Sequence, residues 1–235
     1  VQPAKNEVFP SLIRLADLQD CPSIREVHHQ TWKDEPCGLS QVQRILADPN
    51  HRLFVAGFDN RICGFVDNFI TRSASGNSRW EIDLLAVHPD YRNRGIGKAL
   101  VMASLDAAKE KGAALARALI REDNIASQKV FSGCGFDRLD VRFSLYVWNA
   151  KKRAVFPPAE EEGYFIEVNT INYHGIWLEE IFSQNAFYGA IAKAQQVNAT
   201  VAGAVLPAED VLIIQRATNA GYAFAGNYHW WYHRL

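Results

Sequence analysis

A chain of 235 residues has room for one large domain or up to two small ones. Its 48% hydrophobic and 22% charged residues match an ordinary globular protein and exclude a disordered one. The formal net charge of -1 argues against a nucleic-acid or membrane-surface binder, either of which would carry a basic excess. The start shows no signal-peptide pattern, and no apolar run approaches the roughly 18 residues of a membrane span, so a cytoplasmic location is expected. Cys21, Cys37, Cys63 and Cys134 form no CxxC pair and read as buried thiols.

Leu12 to Leu15 reads as a short strand, followed by a helix from about Cys21. Val42, Ile45 and Leu46 stand at helical spacing behind Ser40, a candidate N-cap, and predict a second helix. Two apolar strands meet at Asp59-Asn60, a hairpin signal. "RWEIDLLAV" predicts a strand, "GIGKALVMASLDAAKEKG" a helix closed by Gly112, and "AALARALI" a strand. A short helix over "NIASQKVFSGCGF" and one long alternating strand over "DRLDVRFSLYVWN" complete a mixed α/β unit, residues 1–149, with antiparallel strands first and a βαβ crossover later.

Adjacent prolines and a triple-Glu run make residues 150–163 a linker. Beyond it, "YFIEVNTINY" reads as a strand and "LEEIFSQNAFYGAIAKAQQ" as a helix. "ATVAGAVL", "EDVLIIQRATNAG" and "YAFAGNYHWWYHRL" then read as strand, helix and strand. This β-α-β-α-β succession over 164–235 overlays the preceding one at a single offset of 86, which sets Glu81 on Glu167 and Gly135-Phe136 on Gly221-Tyr222. The second part is thus expected to be a degenerate half-domain.

The chemistry concentrates in "EIDLLAVHPDYRNRGIGKALV". A P-loop would need glycine where Arg92 stands, and a dinucleotide fingerprint would need glycine at Leu100. Arg92-Asn93-Arg94-Gly95-Ile96-Gly97 instead fits Arg/Gln-x-x-Gly-x-Gly/Ala. A helix N-terminus with unpaired amides, two glycines and the charges of Arg92, Arg94 and Lys98 can hold an anion. Glu81 and Asp83, two apart on one strand, share a face and are candidate bases for removing the proton of an alkylammonium.

With the later "REDN-IASQKVFSGCGF", this strand, turn and helix strongly resemble the GNAT superfamily of acyl-CoA-dependent acyltransferases. The resemblance covers about Leu12 to Asn149 and implies a GNAT-like fold with acetyl-CoA as co-substrate and no metal. It further implies that the backbone of Leu85, Ala86 and Val87 pairs with the pantetheine arm and that Arg92 to Lys98 cradle the pyrophosphate. Asn124, Ser127 and Lys129 lie on the cofactor side by the same resemblance, which also puts Trp32 and Trp80 beside the acceptor. Where family members often carry a tyrosine acid, this chain has Phe131, which has no proton to give; Cys134 and Tyr146 are the sequence-level stand-ins. The implied activity is transfer of an acetyl group to a primary amine of a small molecule or peptide. A module that binds acyl-CoA without transfer and a protein-lysine acetyltransferase are the alternatives, and a homodimer is compatible with all three. Two acids at Glu179 and Glu180 stand where the glycine turn would recur under the 86 offset, so the second part is expected not to bind coenzyme A.

Overall fold

The computed structural model describes residues 12–35, 37–58, 61–150 and 162–235. The Asp59-Asn60 turn and all but the ends of the 150–163 linker lie outside the described residues. The first part runs β1 (Leu12–Leu15), α1 (Cys21–Thr31), α2 (Leu39–Ala47), β2 (His51–Phe58), β3 (Arg61–Arg72), β4 (Ser78–Val87), α3 (Ile96–Glu110), β5 (Leu115–Arg121), α4 (Ile125–Ser132), β6 (Asp137–Arg138) and β7 (Phe143–Asn149). The second runs β8 (Tyr164–Asn169), β9 (His174–Glu179), α5 (Gln184–Gln196), β10 (Val201–Pro207), α6 (Val211–Asn219) and β11 (Ala223–Arg234).

Three local expectations need correction. Gly38, not Ser40, caps α2, with no side-chain bond. The long strand over 137–149 is broken, because four residues, Leu139 to Arg142, face only His229 and Trp230 of β11 and must loop out. The helix expected from Leu178 starts at Gln184, where Ser183 accepts the Ala186 N–H, and the apolar "HGIWLE" before it is strand β9.

That third correction realigns the repeat. From α3 onward the offset of 86 holds: Gly135 and Gly221 both take positive φ, 82° and 87°, in matching C-terminal turns. Upstream it does not hold. Gly175 of β9 stands opposite Val201 of β10 as Arg79 of β4 stands opposite Leu115 of β5, an offset of 96. Asp83 therefore corresponds to Glu179, and Glu81 to Trp177 in place of Glu167. The glycine turn has no substituted counterpart at 178–183, because ten residues are missing there and β9 passes almost directly into α5.

One continuous sheet joins both parts in the order β1-β2-β3-β4-β5-β11-β7-β10-β9-β8, with β6 paired to β11. The final strands are exchanged. β11, from the second part, pairs antiparallel with β5, while β7, from the first, pairs antiparallel with β10. Packing follows the exchange: buried Trp231 of β11 joins the core beneath α3, and buried Trp148 of β7 joins the core around α5. A third cluster lies under α1 and α2. The exchange makes each core depend on a strand from the other part.

β4 and β5 pair in parallel only at Arg79–Leu115, Trp80–Ala116 and Glu81–Arg117, then diverge. A bulge at Asp83 interrupts the β3–β4 ladder, where Asp67 and Asn68 face Leu84 and Ile82. Beyond Glu81, β4 has no described strand beside it on the β5 side, and the result is a V-shaped gap in mid-sheet.

Candidate active site

Two cavities open from this gap. The narrower, about 110 Å³, lies between the diverging strands; Leu85, Asn124, Ser127, Phe131 and Tyr228 are among its walls. The larger, about 380 Å³, lies between the two parts of the chain, with Tyr173, Trp177 and Phe182 on one side and Trp230 on another. Ile82, Asp83, Ala118 and Leu119 line both. The cavities meet at Asp83.

The two acids on β4 have different surroundings. Glu81 is buried and accepts from Arg117 at 2.8 and 3.0 Å and from the Thr71 hydroxyl. Arg117 also reaches Glu179 at 2.7 Å and lies over the Trp230 ring at 4.1 Å, while Arg79 reaches Glu179 at 2.8 Å. Burial opposes ionisation of Glu179, but the guanidiniums of Arg117 and Arg79 outweigh it and hold the carboxyl below its ordinary range. Two acids and two arginines thus neutralise one another across the junction. Asp83 has no such cation. Its side chain is exposed and opens on both cavities; desolvation by the protein packed around the gap, with help from the nearby Asp67 carboxylate, pushes its pKa up to about 7. A carboxyl poised there can accept a proton at neutral pH.

At the other end of the gap, α3 begins at Gly95 with φ 78° and no side-chain cap, which leaves its first amides open. A Cβ at Gly95 would meet nothing within 4 Å, so the space over the turn is clear. The helices α4, α5 and α6, by contrast, are closed by the side chains of Asn124, Ser183 and Asp210. The exposed turn is braced from within. Arg92 donates to the Val87 carbonyl at 3.1 Å and Arg94 to the Asp90 carbonyl at 3.1 Å, with Asn93 at φ 60°. Open amides beside Arg92, Arg94 and Lys98 suit a pyrophosphate.

Other expected residues divide. Ile96 turns its side chain into the core and offers only its amide, and Ala86 is buried under α1. Lys129 is exposed and lines neither cavity. Trp32 lines the narrow cavity, but Trp80 is fully buried and donates to Ser104 at 2.9 Å, away from both. Cys134 is buried against the Lys98 carbonyl and Tyr146 packs on Phe224, so neither stands in the gap. Sequence reasoning missed Arg117, Glu179, Tyr173 and Tyr228. Only Glu179 carries a signal in the sequence, as an acid two residues after Trp177 at the end of strand β9.

All four cysteines are free and buried. Among the described residues no group of three or more His, Cys, Asp or Glu side chains could hold a metal, and no helix is long and apolar enough to cross a membrane.

The family model described as the Acetyltransferase (GNAT) family matches residues 14–136. No curated protein matches the chain. Among solved structures, a putative acetyltransferase from Pyrococcus horikoshii is similar over 100% of this chain and 93% of its own, with 14% identity and a TM-score of 0.63. A tandem GNAT protein from the clavulanic acid biosynthesis pathway is similar over 95% and 98%, with 10% identity and a TM-score of 0.59. The glucosamine N-acetyltransferase region of a fungal multi-domain beta-N-acetylglucosaminidase covers 96% of this chain, with 14% identity and a TM-score of 0.62, while this chain spans only 38% of that protein. At these identities the likenesses establish the fold alone. Together with the family match over more than half its length, they establish that this chain belongs to the GNAT acetyltransferase family.

Proposed function

We propose that the protein is an N-acetyltransferase that carries an acetyl group from acetyl-CoA to a primary amine of a small molecule or peptide terminus. The observation that carries this reading is the meeting of two cavities at one unpaired acid. The narrow cavity, between the diverging strands, and the large one, at the junction of the two parts, both reach Asp83. Acetyl-CoA as co-substrate supplies an activated thioester. Arg92 to Lys98 hold its pyrophosphate, the β4 edge from Leu85 to Val87 holds its pantetheine, and Asn124 and Ser127 face it from α4.

The acceptor amine occupies the large cavity. An alkylammonium, with a pKa near 10, cannot attack until it loses a proton, and Asp83 takes that proton. On sequence Glu81 is the stronger candidate of the two. Held by Arg117, Arg79 and Thr71, it positions the arginines and leaves Asp83 as the base. The second part of the chain binds no coenzyme A, because the turn that would hold it is missing and Ser183 already closes α5; it furnishes the far wall of the acceptor cavity instead.

Phe131 favours a second reading, a module that binds acyl-CoA without transfer. Acetyl-CoA binding measured by calorimetry, beside coenzyme A release over a panel of amines, separates the two. Binding without release from any amine would overturn the transferase reading.

A further inference from the structure

We propose that Tyr228, carried into the cofactor cleft by the exchanged strand β11, protonates the departing sulfur of coenzyme A in place of the phenol that Phe131 lacks. The inference rests on the transferase reading above. It starts from the topology: β11 takes the place beside β5, and Tyr228 falls opposite Arg121, three residues before Asn124. Its side chain lines the narrow cavity together with Asn124, Ser127 and Phe131. The phenol therefore lines the same cleft as the ring of Phe131, carried there by a different strand. Among the described residues its hydroxyl makes no hydrogen bond, so its proton is free for a ligand.

The other phenols and thiols are worse placed. Tyr146 packs in the second core, and Cys134 is buried against the Lys98 carbonyl. Tyr173 lines the acceptor cavity and not the cleft, and its oxygen is held by Trp177. The charged groups facing Tyr228 are Arg121, Glu35 and Asp123. Burial, the largest influence, raises its pKa above the ordinary phenol value in spite of Arg121, so at neutral pH it carries the proton the step requires.

The neutral amine, its first proton already on Asp83, adds to the thioester carbonyl, and its remaining extra N–H proton passes to water. As the carbonyl re-forms, the C–S bond breaks and its electron pair goes to sulfur. The Tyr228 O–H proton moves to that sulfur, and the phenolate regains a proton from water. The products are amide and free thiol.

Tyr228→Phe tests this without changing packing. In the wild type, the phenol should stabilise the thiolate of bound coenzyme A, so the bound thiol, followed by thiolate ultraviolet absorbance, should titrate about one pH unit lower than in Tyr228→Phe. With acetyl-CoA and a turned-over amine, Tyr228→Phe should lower kcat about a hundredfold with KM for acetyl-CoA little changed. Adding Phe131→Tyr to that variant should restore rate. An identical thiol titration in wild type and Tyr228→Phe, or the shift arising in Tyr173→Phe instead, overturns the assignment. The titration needs no turnover, so a protein that binds acetyl-CoA but acetylates nothing sinks the transferase reading and still tests Tyr228.

Discussion

Arg117→Met removes the guanidinium, with its contact over the Trp230 ring, and leaves an apolar side chain. In the native protein Arg117 is the shared cation of Glu81 and Glu179, bonded at 2.8 Å and 2.7 Å, with side-chain exposures of 18%, 10% and 20% for Arg117, Glu81 and Glu179. At such burial, solvent cannot replace the lost cation. Removing one partner of a buried ion pair costs about 3–5 kcal/mol, far above the ~0–1 kcal/mol of a surface pair. For a chain of this size that corresponds to a fall in Tm of about 6–20 °C, read by thermal or denaturant unfolding. The pH dependence carries the sharper test. Glu179 titrates below its unfolded value in the native protein, so its contribution is present above the unfolded pKa and lost as pH falls through the folded one. The variant should therefore lose most against wild type near pH 7 and converge on it in acid, as the stranded Glu179 carboxylate takes up a proton. Glu179→Gln added to Arg117→Met should recover part of the loss. A deficit below about 1 kcal/mol, or one that does not shrink in acid, would refute the claim that this network ties the two parts together.

Asp83→Asn should lower kcat/KM and remove the rise in rate through the region of pH 7, where the wild-type carboxyl titrates. Its folded pKa lies above the unfolded value, so ionisation costs the wild type stability as pH rises through about 7; Asp83→Asn should unfold later than wild type above that pH and match it in acid. Gly95→Asp places a carboxylate in the clear space over the α3 amides and should abolish acetyl-CoA binding by calorimetry. Gly95→Ala, which meets no atom within 4 Å, should keep measurable affinity at a conformational cost of about 1–2 kcal/mol. Gly203→Ala should raise KM for the amine and spare acetyl-CoA affinity, because its Cβ would come within 2.9 Å of the Trp177 ring that walls the acceptor cavity.

What was legible in the sequence was local. The turn from Arg92 to Lys98 announced itself because strand, glycines, basic side chains and helix follow one another within some twenty residues, and backbone sterics at Gly95 act over the same range. Glu81 and Asp83 were placed together because a strand alternates its faces. The misreadings were local too. Leu178-Glu179 reads as helix when joined to the strong periodicity of α5, and only pairing with β8 and β10 makes it the end of strand β9. That single error shifted the repeat by ten residues and hid the match of Asp83 with Glu179.

By itself, then, the sequence determined the family, most of the element order in the first part and the glycine turn that opens α3. The tertiary structure decided which of two acids is neutralised, since Arg79 and Glu179 meet 100 residues apart in the chain. It also decided that β7 and β11 trade places and so bring Tyr228 to the cleft that Phe131 lines. The physical reason is one of range. Helix caps, turns and strand alternation are set by neighbours along the chain, whereas pairing partners and the burial of charge are set by whichever distant strand comes to lie alongside.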